Sequence, residues 1–312
     1  MSATTSIEWT ERTWNPVTGC DKVSPGCAHC YAEGVAERFW ATQYPKVPDE
    51  GYGMPGAVKQ LRTREFTDVQ THEDRLLEPL KWRTPARVFV NSMSDLFHED
   101  VPDAFIDKVF AVMALAPKHT FQILTKRPER MRDYVTARVT NVADALRDMG
   151  REANAITLVT GLKLNDSEPK RRWPLRNVWL GVSVENQHFA DDRIPLLLQT
   201  PAAVRFISAE PLLGSIDLHS PVLEADSDDY LDWVIVGGES GSKARPMDLA
   251  WARSIVEQCQ AAGTPVFVKQ LGTKPTCDGC GDTVAVFGVR DRKGGDPGEW
   301  PTDLRVREYP AL

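Results

Sequence analysis

The sequence predicts an α/β protein built as a parallel β/α barrel, full or partial, and three observations predict it. Short β-branched and aromatic runs recur along the chain. Helical patterns separate several of them at intervals of roughly 30 residues, the rhythm of β/α units. Nearly every run ends in a polar or charged cluster, as strands do where an α/β fold builds its site. The chain of 312 residues, 42% hydrophobic and 26% charged, is long enough for one barrel-sized domain.

In chain order, a first strand is expected near Thr13 to Val17, with little periodicity to mark it. Val88-Phe89-Val90 precedes "NSMSD", and Phe121 to Leu124 precedes "TKRP". Val178 to Val182 precedes "SVEN", and Val204 to Ile207 precedes "SAEP". Trp233 to Val236 precedes "GGESG", and Val266 to Val268 precedes "KQLG". Such near-continuous apolar runs are the habit of strands buried on both faces. In "VPDAFIDKVFAVMALA", Phe105, Val109 and Met113 share a helical face with Ile106 and Phe110 beside it; in "DLAWARSIVEQCQAAG", Ala252, Ile255, Val256 and Cys259 do the same, and Gly263 is a natural stop. Residues 127 to 177 hold extra helix and loop material, including the basic "PKRRWPLR". Residues 1–272 read as the barrel domain, and 273–312 as a C-terminal extension packed on it, with a cysteine pair and irregular structure.

The N-terminus has no basic region followed by an apolar run, and no stretch approaches the ~18 apolar residues of a membrane span. A cytoplasmic location, with no membrane partner, is expected, and thiols stay reduced there. A net charge of -7 speaks against a broad electrostatic grip on nucleic acid, though not against a local basic cleft.

Cys20, Cys27 and Cys30, spaced C-x6-C-x2-C, form the densest chemical signal. Thiolates select zinc, copper(I) or iron–sulfur clusters. A structural zinc wants a fourth close ligand, and His29 stands adjacent to Cys30, where both side chains rarely reach one ion. A [4Fe–4S] cluster on three cysteines leaves one iron open to a small molecule. At the strand ends, Lys126, Arg127 and Lys269 read either as anion ligands or as ion-pair partners of Glu210 and Glu239. Gly237 and Gly238, with Glu239, Lys243 and Arg245, could cradle a phosphate or carboxylate, because glycine lets backbone N–H groups approach closely. Cys277 and Cys280 form "CDGC", a turn suited to a second metal, left unassigned. Cys259 reads as a buried structural thiol.

The phrases "IEWTERTWNPVTGC", "SPGCAHCYAE", "NSMSDLFH", "LTKRPERM", "NVWLGVSVEN", "RFISAEPLLG" and "WVIVGGESG" resemble the phage Gp37/Gp68-type, or three-Cys-motif, branch of the radical S-adenosylmethionine (SAM) enzymes. The superfamily's commonest spacing is C-x3-C-x2-C, and the longer first gap here is this branch's own. The resemblance implies a radical SAM core with Cys20, Cys27 and Cys30 ligating a [4Fe–4S] cluster and SAM chelating the fourth iron. An electron from a flavodoxin- or ferredoxin-like donor would then release a 5′-deoxyadenosyl radical that abstracts hydrogen from substrate. It further implies His29 and Tyr31 near the adenine; Ser92, Ser94 and Asp95 at the SAM amino group, although the usual Gly-Gly-Glu is missing there; and Ser183 and Glu185 at the ribose or carboxylate. Lys126, Arg127, Glu210, Gly237, Gly238, Glu239, Arg245 and Lys269 would face substrate. A nucleobase or nucleic acid is the first substrate to consider, with "KRRWPLR" and its Trp173 as a small stacking surface, and a peptide is the alternative. The rival reading is a non-catalytic zinc- or cluster-binding module acting with a partner protein.

Overall fold

The computed structural model describes residues 5–43, 47–48, 61–62, 64–149, 173–218, 220–223, 230–277, 285–286 and 288–311. Its centre is one parallel sheet of seven strands: β1 (Arg12–Trp14), β2 (Arg87–Val90), β3 (Thr120–Thr125), β4 (Val178–Ser183), β5 (Val204–Ala209), β6 (Trp233–Gly237) and β7 (Val266–Gln270). Each strand of this sheet pairs in parallel with the next one along the chain. A doubly wound sheet reverses its strand order at a switch point. This order never reverses, so the sheet curls into a half-barrel, the partial form of the expected architecture.

The six runs from Val88 onward are all strands. The first expected strand divides instead: Arg12–Trp14 joins the sheet, while Val17–Thr18 turns away to pair antiparallel with Gln70–Thr71. Asn15 and Pro16 lie between the two pieces and break the run.

The helices of ten residues or more are α1 (Tyr31–Gln43), α2 (Asp103–Leu115), α3 (Pro128–Ala137), α4 (Val139–Asp148), α5 (Gln187–Leu198) and α6 (Leu249–Ala262). In α6, the Asp248 carboxylate caps the start by accepting from the Ala250 N–H at 2.9 Å. Gly263 ends the helix in the left-handed region at φ 75°, as its sequence position suggests. Alternate strand residues serve two cores. Val88, Ile123, Leu180, Ile207, Val234 and Val268 face helix residues such as Phe105, Val109, Ile194 and Ile255. The opposite, concave face is floored by Trp9, Trp179, Phe206, Trp233 and Phe267, with Phe89 and Leu124 packed against them. Gly181 is part of that floor, because a Cβ there would stand 2.6 Å from the Phe206 ring.

The tail closes the floor. Val268 N donates to Val306 O at 2.9 Å and Glu308 N to Val266 O at 3.0 Å, so the tail covers the outer edge of β7. Tyr309 then packs 5.4 Å from Trp233, lies under the Arg87 guanidinium and donates to Glu8 O. The irregular tail expected from its composition thus gains a short antiparallel pairing at its end. Among the described residues no helix is long and apolar enough to cross a membrane.

Trp233 is fully buried and touches the rings of Trp9, Trp179, Phe206, Phe267 and Tyr309. Trp233→Ala should therefore cost about 3–5 kcal/mol, read as a lowered denaturant midpoint. A change near zero would mean that the floor is not the packed core described.

Candidate functional site

The cysteine loop begins where β1 ends. Asn91 N donates to Trp14 O at 2.7 Å, Ser94 Oγ to Val17 O at 2.9 Å and Gly19 N to Met93 O at 3.0 Å, which ties the loop after β1 to the loop after β2. Arg64, buried and stacked on Trp40, sends Nη2 to Thr18 O at 2.8 Å and to Asp68 O at 2.7 Å. Gly19 has φ 98°, and a Cβ there would stand 2.6 Å from Asp68 O; only glycine turns the chain here. Cys20 N then donates to Phe66 O at 2.9 Å.

Cys20, Cys27 and Cys30 are free and half-buried. Arg127 Nη1 lies 3.5 Å from Cys20 Sγ. Burial first, then the Asp95 charge, push the Cys20 thiol up to about 12, with Arg127 pulling the other way. A metal would have to displace that proton. Cys27 Sγ lies 3.7 Å from Ser24 Oγ, and Cys30 directly precedes α1, its carbonyl accepting from Gly34 N at 3.1 Å. Among the described residues no three His, Cys, Asp or Glu side chains are grouped so as to hold a single metal ion.

The strand-end residues gather beneath this loop, mostly in charge pairs. Asp95 accepts from Thr125 Oγ1 at 2.7 Å, Phe97 N and Lys126 N at 3.0 Å, and Arg127 Nη1 at 3.2 Å. It braces the ends of β2 and β3. Glu185, fully buried, accepts from Ser24 Oγ at 2.6 Å and Arg193 Nη1 at 3.1 Å, with Lys126 Nζ at 3.7 Å. Glu239 takes the Arg245 guanidinium at 2.6 and 2.9 Å, the Arg245 N–H at 2.7 Å, and lies 3.2 Å from His29 Nδ1. Burial works against its ionisation, but the Arg245 contacts outweigh burial and hold the carboxyl below its ordinary value. Glu210 pairs with Lys269 Nζ at 2.5 Å.

Several expected roles look different at atomic distance. Lys269 takes the ion-pair alternative with Glu210, whereas Lys126 and Arg127 pair with Glu185 and Asp95 instead. Gly238 is a close-packing residue: a Cβ would stand 2.7 Å from the Leu271 carbonyl carbon, and its N–H donates to Gln270 O at 2.9 Å. That N–H is not offered to an anion. Gly237 sits against the Glu210 side chain, where a Cβ would be 3.3 Å away. Ser92 Oγ donates to Asn15 Oδ1 at 3.2 Å, so Ser92 and Ser94 keep only oxygen lone pairs for an ammonium group. Ser183 is buried, its carbonyl accepting from Arg193, and Tyr31 is 64% exposed. Trp173 turns inward, 5.8 Å from Phe110, with Nε1 donating to Val135 O. It is no outward stacking platform, and Lys170 to Arg172 lie outside the described residues. Cys277 is disulfide-bonded, which removes its thiol as a ligand for a second metal, and Cys280 lies outside the described residues. Cys259 is buried on α6 as expected.

Ser24, Gly26, Arg64 and Arg193 were not marked by the sequence. Gly26 alone carried a usable signal, standing next to Pro25 between two cysteines. A groove of about 590 Å³, lined by Leu76, Asp107, Lys108, Arg138 and Asp144 among others, lies between α2 and α4 and includes none of the site residues.

The fold and the site define an α/β half-barrel that carries a three-cysteine loop over the C-terminal ends of its strands. The chain belongs to the family described as "Protein of unknown function (DUF5131)", whose family model matches residues 4–293. No curated protein and no solved structure matches it.

His72 offers a check on the loop's anchorage. Its Nε2 lies 2.7 Å from Thr18 Oγ1, an oxygen that also accepts from Arg64 at 2.8 Å. Burial first, then the Arg75 and Arg64 charges, lower its pKa from 6.5 to about 4. The unfolded chain therefore binds the proton more readily. Stability from this group is complete above pH 6.5 and is lost as pH falls toward 4. The melting temperature of the wild type should fall across this window more steeply than that of His72→Gln, and parallel curves would refute the assignment.

Proposed function

We propose that the chain is a radical SAM enzyme, with Cys20, Cys27 and Cys30 as the ligands of a [4Fe–4S] cluster. The observation that carries this reading is the position of the three free thiols, on the loop after the first strand and above the strand ends of a parallel half-barrel. Cys20 is close enough to Cys27 to feel its charge, and Lys22 feels both Cys27 and Cys30. A cubane distributes its thiolates over separate irons, whereas one zinc ion draws them to a single point. Bound there with SAM, the cluster would supply a one-electron reduction and a hydrogen-abstracting agent.

The protein's own residues have definable parts. Arg127, held by Asp95, donates toward Cys20 Sγ and would stabilise the thiolate once its proton is gone. The aromatic floor keeps water from the concave face below. The electron would come from a flavodoxin- or ferredoxin-like donor. Lys126, Arg127, Arg245 and Lys269 each face a carboxylate, so a phosphate would have to break a pair to bind. The nucleic-acid reading of the substrate therefore finds no support at this rim.

Anaerobic reconstitution should yield roughly four irons and four sulfides per chain. Dithionite with SAM should then release 5′-deoxyadenosine. Cys20→Ala, Cys27→Ala and Cys30→Ala should each abolish the release, and Cys277→Ser should leave it in place. A chain that binds one zinc tightly and never cleaves SAM would overturn the reading in favour of a binding module.

A further inference from the structure

We propose that Glu185 is a positioning residue for the cysteine loop: bonded by Ser24 and covered by Gly26, its carboxylate fixes the turn that carries Cys27. The distance from Cys20 to Cys27 and Cys30 is set by that turn. The inference rests on the reading of the three cysteines as joint ligands.

A fully buried carboxylate must be paired and hydrogen-bonded to stay charged. Arg193 supplies the charge at 3.1 Å, and its Nη1 also bonds Ser183 O at 2.7 Å, which locks the guanidinium against the end of β4. The second carboxylate oxygen receives the Ser24 hydroxyl at 2.6 Å, from a residue 161 positions away. Ser24 opens the turn Pro25–Cys27, and Cys27 N donates back to Ser24 O at 2.9 Å. The bond from Ser24 to Glu185 therefore holds one end of the turn whose other end is Cys27. Gly26 confirms how tightly the turn is seated, since a Cβ there would stand 2.6 Å from Glu185 Cγ, inside the side chain.

A second clamp acts from the neighbouring side. Arg245, held by Glu239, sends Nη1 to Pro25 O at 2.9 Å, and His29 reaches Glu239 itself. Carboxylates that follow β4 and β6 thus grip one short turn, while Cys20 is fixed separately through Phe66 and Arg127. A ligand loop ordered before it binds avoids the entropy of ordering at that moment. A role for Glu185 in binding cofactor or substrate would require its buried carboxylate to be uncovered.

Replacing Glu185 would strand Arg193 in the core, so the test works on the loop. In metal-free protein, the rate at which iodoacetamide modifies Cys27, read by peptide mass, should rise several-fold in Ser24→Ala and in Gly26→Ala. The rate at Cys20 should hold, and Ser24→Thr, which keeps the hydroxyl, should restore the wild-type rate at Cys27. After reconstitution, iron affinity should fall roughly tenfold in Ser24→Ala, with an altered electron paramagnetic resonance line shape. An unchanged Cys27 rate in both Ser24→Ala and Gly26→Ala overturns the proposal, whatever the iron content. A wild type that takes up no iron, while the Cys27 rate responds as described, removes the cluster reading and leaves the positioning role standing.

Discussion

Seven parallel strands that keep their chain order leave the sheet no switch point, and this constraint shapes the rest of the molecule. The sheet curls, one face meets the helices, and the other becomes a concavity. Large rings fill its floor: Trp9, Trp179, Phe206, Trp233 and Phe267. Because every strand points the same way, every polar strand end arrives at one rim. Asp95, Lys126, Glu185, Glu210 and Glu239 converge there although 144 positions separate the first from the last.

Convergence has an electrostatic consequence. Four carboxylates crowd a half-buried rim, and burial penalises each unless a cation or donor meets it. Asp95 takes Arg127, Glu185 takes Arg193, Glu210 takes Lys269 and Glu239 takes Arg245. The cations come from strand ends, from α5 and from the loop before α6. The remaining acceptor capacity of Glu185 and Glu239 is met by the cysteine loop through Ser24 and His29. The rim and the loop thus complete each other, and neither is fully satisfied alone.

Much of this was legible because continuous apolar runs and helical apolar faces report burial directly. Val88 to Val90, Trp233 to Val236 and the glycine-ended helix over 249–262 needed only local chemistry. The polar strand ends were legible as a set, since the fold type alone delivers them to one place. Their partners were not. Arg193 lies within α5, where nothing in its neighbours distinguishes it from a surface arginine, and its burial depends on β4 lying alongside. Arg64 follows a stretch outside the described residues and reaches Thr18 across 46 positions. The first strand was blurred because its pairing partners, β2 for one half and Gln70–Thr71 for the other, are remote in sequence.

Glycine shows why function was harder to read than fold. The sequence admits two uses for a glycine after a strand, an N–H that approaches an anion or a backbone that approaches another backbone, and both need the same missing Cβ. Only the neighbour decides. At Gly238 the neighbour is the Leu271 carbonyl, and at Gly19 it is Asp68. At Gly26 it is the side chain of Glu185, a charged group from another strand end. The first two are matters of folding. The third ties the cysteine loop to the rim, so an alanine at Gly26 would disturb the geometry of the thiols before it disturbed the barrel.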